Sequence, residues 1–106
     1  MTDKIVVFNT CATAEEANKI ARKLVEERLA ACVNVLPGVR SFYRWQGAIE
    51  DTSEWLLVIK SSRTLFDSLR AELEKLHSYE VPEVVALPIV DGLANYLNWM
   101  ESELRD

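Results

Sequence analysis

Three side chains in this 106-residue chain combine nucleophilic or ligating chemistry: the single histidine, His77, and two cysteines, Cys11 and Cys32. An imidazole can carry protons or coordinate a metal, and a thiolate is both a nucleophile and a soft ligand. His77 lies in Leu76-His-Ser-Tyr-Glu-Val-Pro-Glu83, between a helix end and a strand start. It is either a ligand or a helix terminus whose charge complements the helix dipole. Ser78 beside it makes no triad, because sequence neighbours seldom face one another. The chain also lacks a Gly-rich phosphate loop. The expectation is a protein that is not an enzyme.

Composition narrows the partners. A length of 106 residues predicts a single domain over 1–106, and 49% hydrophobic residues suffice for a core without staples. A net charge of −5 argues against an extended phosphate-binding surface, so no nucleic acid is expected as partner. No stretch is long and apolar enough to span a bilayer, and no charged segment leads an apolar one as in a secretory signal, so no membrane is expected either. The expected location is cytoplasmic. Two cysteines make no disulfide framework, and a reducing compartment keeps them as thiols.

The elements that must position these groups follow from periodicity. Lys4–Cys11 is β-branched and apolar on both faces, the mark of a central strand. Thr13-Ala-Glu-Glu16 is a capping box opening a helix, with Ala17, Ile20, Ala21, Leu24 and Arg28 at helical spacing. From Cys32 the period becomes two. Pro37-Gly38 interrupts that run as a bulge, and Gln46-Gly47 reads as a tight hairpin turn. The return strand ends in Glu54–Lys60, again apolar on both faces. Ser61-Ser62 is placed to cap a second helix with a stripe of Leu65, Phe66, Leu69, Leu73 and Leu76. Val84–Val90 reads as a last strand. Asp91 is expected to cap a terminal helix with Leu93, Tyr96, Leu97, Met100 and Leu104 on one side.

The order is βαββαβ plus a C-terminal helix, an α+β ferredoxin-like arrangement. Right-handed crossovers then predict the sheet order 4-1-3-2 with all neighbours antiparallel. The hairpin of the second and third strands is overlong: each arm has roughly fourteen residues, against about 5–6 for a typical strand. It must project beyond the first strand and expose Phe42, Tyr43, Trp45 and Ile49. A second subunit is the simplest cover.

Ala30-Ala-Cys-Val-Asn34, Pro37-Gly38, Ser41-Phe-Tyr-Arg-Trp-Gln-Gly47, Glu54, Leu57, Lys60, His77-Ser-Tyr-Glu-Val-Pro-Glu83, Pro88, Gly92 and Tyr96-Leu-Asn-Trp99 form an ordered, spaced set. By that set the chain resembles the CutA family of divalent-cation tolerance proteins over essentially its full length. The resemblance implies a homotrimer shaped like the PII signalling trimers, and a link to copper and other divalent cations. It implies a metal site drawn from Cys11 and His77. Some members carry two adjacent histidines, whereas Leu76 precedes His77 here, so the implied affinity is weak. The resemblance names no client protein.

Topology gives an independent check on that pair. The first strand ends at Cys11, and the second helix climbs to the same edge of the sheet to deliver His77. Cys32 starts a strand at the opposite edge and is expected to be an inert thiol. Sulfur and nitrogen donors favour copper over magnesium or calcium, with Glu80 or Glu83 as an oxygen donor. Two related functions fail on their residues. A copper chaperone of this fold needs Cys-x-x-Cys, but Cys11-Ala-Thr-Ala14 ends in alanine; an RNA-recognition module needs basic aromatic strands, and Tyr43-Arg44-Trp45 stands in the wrong context. Trp45, Glu54, Lys60, Tyr79 and Glu83 form a second constellation, which either lines an intersubunit cleft or supplies packing aromatics and rim charges. If a cleft, it makes the rival function a PII-like signalling trimer binding a small anion or metabolite.

Overall fold

The computed structural model describes residues 2–106. The elements are β1 (Lys4–Cys11), α1 (Ala14–Glu26), β2 (Cys32–Trp45), β3 (Ala48–Ser62), α2 (Phe66–Leu76), β4 (Val85–Pro88) and α3 (Ala94–Glu103), with a 3₁₀ turn at Arg63–Leu65 leading into α2. One sheet runs β2-β3-β1-β4, antiparallel throughout, which is the expected ferredoxin-like order. The doubly apolar strands β1 and β3 lie at its centre.

Both crossover helices cover one face of the sheet. Ile5, Val7 and Cys11 of β1 and Leu57 and Ile59 of β3 meet Ile20 and Leu24 of α1 and Leu69 and Leu73 of α2 in the core. The alternate residues point away from the helices. On that other face Val6, Phe8, Leu56 and Val58 are only half-buried, and Val85 and Leu87 are exposed.

The hairpin behaves as its sequence requires. A register shift between Leu36 and Val39 puts the bulge at Pro37-Gly38, where Gly38 has φ +74°. Gln46 and Gly47 both have positive φ, as a two-residue turn matching strand twist demands. Cys11 at the end of β1 pairs with Trp55, so the part of the hairpin beyond Trp55 has no β1 partner. It projects, and the molecule is 44 Å long but only 25 by 23 Å across.

Four local expectations need correction. Helix α1 stops at Glu26, and Arg28 leaves the helix at φ +58°. Its N–H bonds the Val25 carbonyl while Leu29 N–H reaches Leu24, the reversal that commonly ends helices. Ser61 caps nothing: its buried hydroxyl donates to the Leu29 carbonyl, and Ser62 flanks the 3₁₀ turn with its hydroxyl on Thr64. The last strand shrinks to Val85–Pro88, although Ile89 N–H still bonds the Lys4 carbonyl. Asp91 turns back to accept from Gly92 N–H, and α3 begins at Ala94 with no side-chain cap. Of its predicted apolar side, Met100 and Leu104 are buried and Leu97 half-buried, but Leu93 and Tyr96 face outward.

Candidate functional site

The end of β1, the start of α1 and the end of α2 meet at one edge of the sheet. Cys11 arrives on β1. His77 is the C-cap of α2, just past Leu76, its N–H on the Leu73 carbonyl. Cys11 Sγ lies 3.7 Å from His77 Nε2, so the two residues paired from topology are neighbours.

A third donor was missed. The expected oxygen donors are Glu80 and Glu83, but the carboxylate at the cluster belongs to Glu16. Single ligand atoms of Cys11, Glu16 and His77 lie within 4.8 Å of one another, the one such group of three among the described residues. The capping box held the signal. Thr13 Oγ1 accepts from Glu16 N–H at 3.1 Å, as that motif predicts. The third helical residue therefore sits beside the chain entering the helix, close to Cys11. Instead of closing the box, the Glu16 carboxylate turns to Ser78, where Oε2 accepts the backbone N–H at 2.8 Å. Its Oε1 is buried without a hydrogen-bond partner. Glu83 contributes only its carbonyl, which accepts from the Asn9 side chain at 2.8 Å.

His77 and Cys11 have hydrogen-bond partners within the chain. His77 Nε2 is 2.8 Å from the Thr10 carbonyl, and Tyr79 N–H donates to Nδ1 at 3.1 Å. A carbonyl only accepts, so the proton is on Nε2. Burial, with the Glu16 and Glu54 carboxylates adding to it, pushes the Cys11 thiol up to about 12, and its proton points at Asn9 Oδ1. At neutral pH Cys11 is a thiol rather than a thiolate.

These residues fit a thiophilic or borderline cation in donor type, and the orphaned Glu16 oxygen is an atom that a cation would satisfy. Holding one costs two rearrangements. The thiol must lose its proton, because the thiolate is the ligand. Coordination through Nε2 also moves the ring proton to Nδ1, where it confronts Tyr79 N–H. Three protein donors leave positions open, unlike a closed structural zinc site.

The second constellation lies on the opposite side of His77. Trp45, Glu54, Tyr79 and Glu83 line a cavity of about 660 Å³ between the projecting half of the hairpin and residues 78–83. Tyr79 OH donates to Glu54 Oε2 at 2.7 Å, and the His77 and Tyr79 rings lie 4.7 Å apart. Lys60 is not there. It pairs in register with Cys32 and Val6 toward the other end of the sheet, and its ammonium reaches Asn34 Oδ1 and Cys32 Sγ. Cys11 and Cys32 are both free thiols.

Comparison with known proteins gives the family. The family described as CutA1 divalent ion tolerance protein matches residues 5–103. The chain belongs to that family. The divalent-cation tolerance protein CutA of Thermus thermophilus is 50% identical over 95 residues, 90% of this chain and 92% of that one. The chloroplastic protein CutA of Arabidopsis thaliana is 43% identical over 102 residues, 96% of this chain but 56% of the longer relative. The crystal structure of CutA from Xylella fastidiosa superposes with a TM-score of 0.95 at 43% identity, covering 98% of this chain and all of that one. The family's description is of a tolerance protein rather than an enzyme. No helix among the described residues is long and apolar enough to cross a membrane.

Proposed function

We propose that this chain is a homotrimeric cation-binding protein of cation tolerance, holding a divalent ion or copper at Cys11, Glu16 and His77. One observation carries the reading: sulfur, nitrogen and oxygen donors converge within 4.8 Å, and one of the oxygens, Glu16 Oε1, is buried with nothing to bond. Such a mixed donor set favours copper or zinc over magnesium and calcium, which select oxygen cages. Relatives named for divalent-cation tolerance support the same class of function. The cost of removing the thiol proton and of turning the ring away from Tyr79 makes the affinity weak. A cytoplasmic setting keeps the thiol reduced and available.

Trimer formation is supported by the sheet face turned away from α1 and α2 and by the projecting hairpin. Val85 and Leu87 on β4 and Phe42 and Ile49 on the hairpin are all more than 45% exposed. Exposed apolar side chains on strands call for a partner, and a second copy of the chain offers one.

Anaerobic competition for Cu(I), with calorimetry using Zn(II) and Cu(II), tests the metal reading on the parent, Cys11→Ser, Glu16→Gln and His77→Ala. Each substitution should weaken binding. Three variants that bind as the parent does would remove the site. Light scattering should give three times the 12.1 kDa chain mass, and a stable monomer would remove the trimer.

A further inference from the structure

We propose that the cavity between the projecting hairpin and residues 78–83 is a binding site for a small organic ammonium ion. Its central feature is Glu54, which is 5% exposed, and no basic side chain lines the cavity around it. Glu54 takes part in no ion pair among the described residues; its hydrogen-bonding partner is the Tyr79 hydroxyl on Oε2. A buried carboxylate without a cation is a standing electrostatic cost. Glu80 and Glu83 line the same cavity and add negative charge.

Three occupants can be compared. Within one chain an anion would meet carboxylates and no basic side chain. A bare metal ion needs its ligands close together, and Glu54, Glu80 and Glu83 do not form such a group. An organic cation suits what remains. Register places Tyr43 and Trp45 on the same face as Glu54, because Val39 opposes Glu54 and side chains alternate. Tyr79 joins them, so aromatic faces stand beside the carboxylate, the surroundings in which alkylammonium groups bind. The phenol of Tyr79 is held protonated by burial and by Glu54, so it donates to the carboxylate rather than competing with it. A volume of about 660 Å³ falls within the usual range of small-ligand sites.

The site is separate from the metal cluster, since Cys11, Glu16 and His77 do not line it. Its test is titration of the native oligomer with tetramethylammonium chloride and methylammonium chloride at constant ionic strength. Sodium chloride and sodium acetate serve as controls, and tryptophan fluorescence is the readout. Saturable binding of an ammonium ion is expected, with neither sodium nor acetate replacing it. Glu54→Gln keeps the shape and a partner for Tyr79, and should weaken binding about tenfold or more, the scale of a lost charge-assisted hydrogen bond. Trp45→Leu, at an exposed strand position, should weaken it several-fold and decides the matter if the Glu54 variant misfolds. Cys11→Ser should lose metal and keep the ammonium ion, which separates the two sites. Absence of ammonium binding, or equal affinity in both cavity variants, overturns the proposal. So does failure to bind combined with a less stable Glu54→Gln oligomer, which would assign Glu54 to a cation of a neighbouring copy.

Discussion

The Cys11–Glu16–His77 cluster and the Glu54–Tyr79 cavity lie back to back across two residues, yet they solve opposite problems. In the cluster nearly every polar atom is paired within the chain, and a cation must displace existing partners to enter. In the cavity a buried carboxylate has one neutral donor and open volume before it. Proximity of ligand-type residues is therefore a poor guide to readiness for a ligand; unsatisfied charge and space are better ones. The two regions share the segment His77–Tyr79. Tyr79 N–H holds the imidazole while its hydroxyl holds Glu54. A metal on Nε2 that moves the ring proton to Nδ1 must displace Tyr79, so metal titration should shift the Tyr79 amide resonance and alter ammonium affinity reciprocally.

The largest expected effect strikes both regions at once. Leu57 is fully buried and opposes Asn9 in β1, directly behind the cluster. Leu57→Ala should cost about 2–5 kcal/mol in denaturant unfolding, from lost burial plus the cavity left behind. A cost under about 1 kcal/mol would mean the sheet is not packed as described.

His77→Ala should separate the regions. It removes the bonds to the Thr10 carbonyl and from Tyr79 N–H, and should lower stability by about 1–3 kcal/mol. Amide exchange should quicken at Tyr79 more than at Trp45. Uniform protection across the cavity would show that its walls stand without the histidine.

Alkaline pH should act on the cluster first. Folding raises the Cys11 thiol from 9.0 to about 12, so the folded state keeps a proton that the unfolded chain releases. The contribution is complete below about pH 9 and falls by at most about 1.4 kcal/mol per unit as pH rises toward 12. Tyr79, also raised, adds the same sign at higher pH. Urea midpoints between pH 8 and 10 should fall in the parent and stay flatter in Cys11→Ala. The same proton makes metal binding through the thiolate strengthen with pH. Equal slopes in parent and variant would break this account.

The smallest effect belongs to a residue that touches the cluster only through the Glu16 backbone. Thr13→Ala removes the cap on Glu16 N–H and should cost about 1 kcal/mol of stability. Metal affinity should change little, because Ser78 still anchors the Glu16 carboxylate. A tenfold loss would show that the cap, rather than Ser78, positions that carboxylate.

What the sequence determined by itself was whatever local chemistry or periodicity specifies. Apolar runs on both faces put β1 and β3 at the sheet centre, and crossover handedness then ordered the rest. Pro37-Gly38 and Gln46-Gly47 announced a bulge and a turn because few residue types accept their backbone angles. The adjacency of Cys11 and His77 followed from the directions of the first strand and the second helix, and the family resemblance implied the same pair. Tertiary structure decided the remainder. The capping box marks Glu16 as near Cys11, but only the docking of α1 against residues 77–79 turns its carboxylate from the box to Ser78. Register carries Lys60 toward Cys32, away from the cavity lined by Trp45, Glu54, Tyr79 and Glu83 of the same chain. Asp91 found a nearer donor in Gly92 than the helix it was expected to cap. Most of all, the sequence offers His77 as a free imidazole. Only the fold brings a carbonyl to one ring nitrogen and an amide to the other, since both belong to backbone, which every residue carries and no residue type marks.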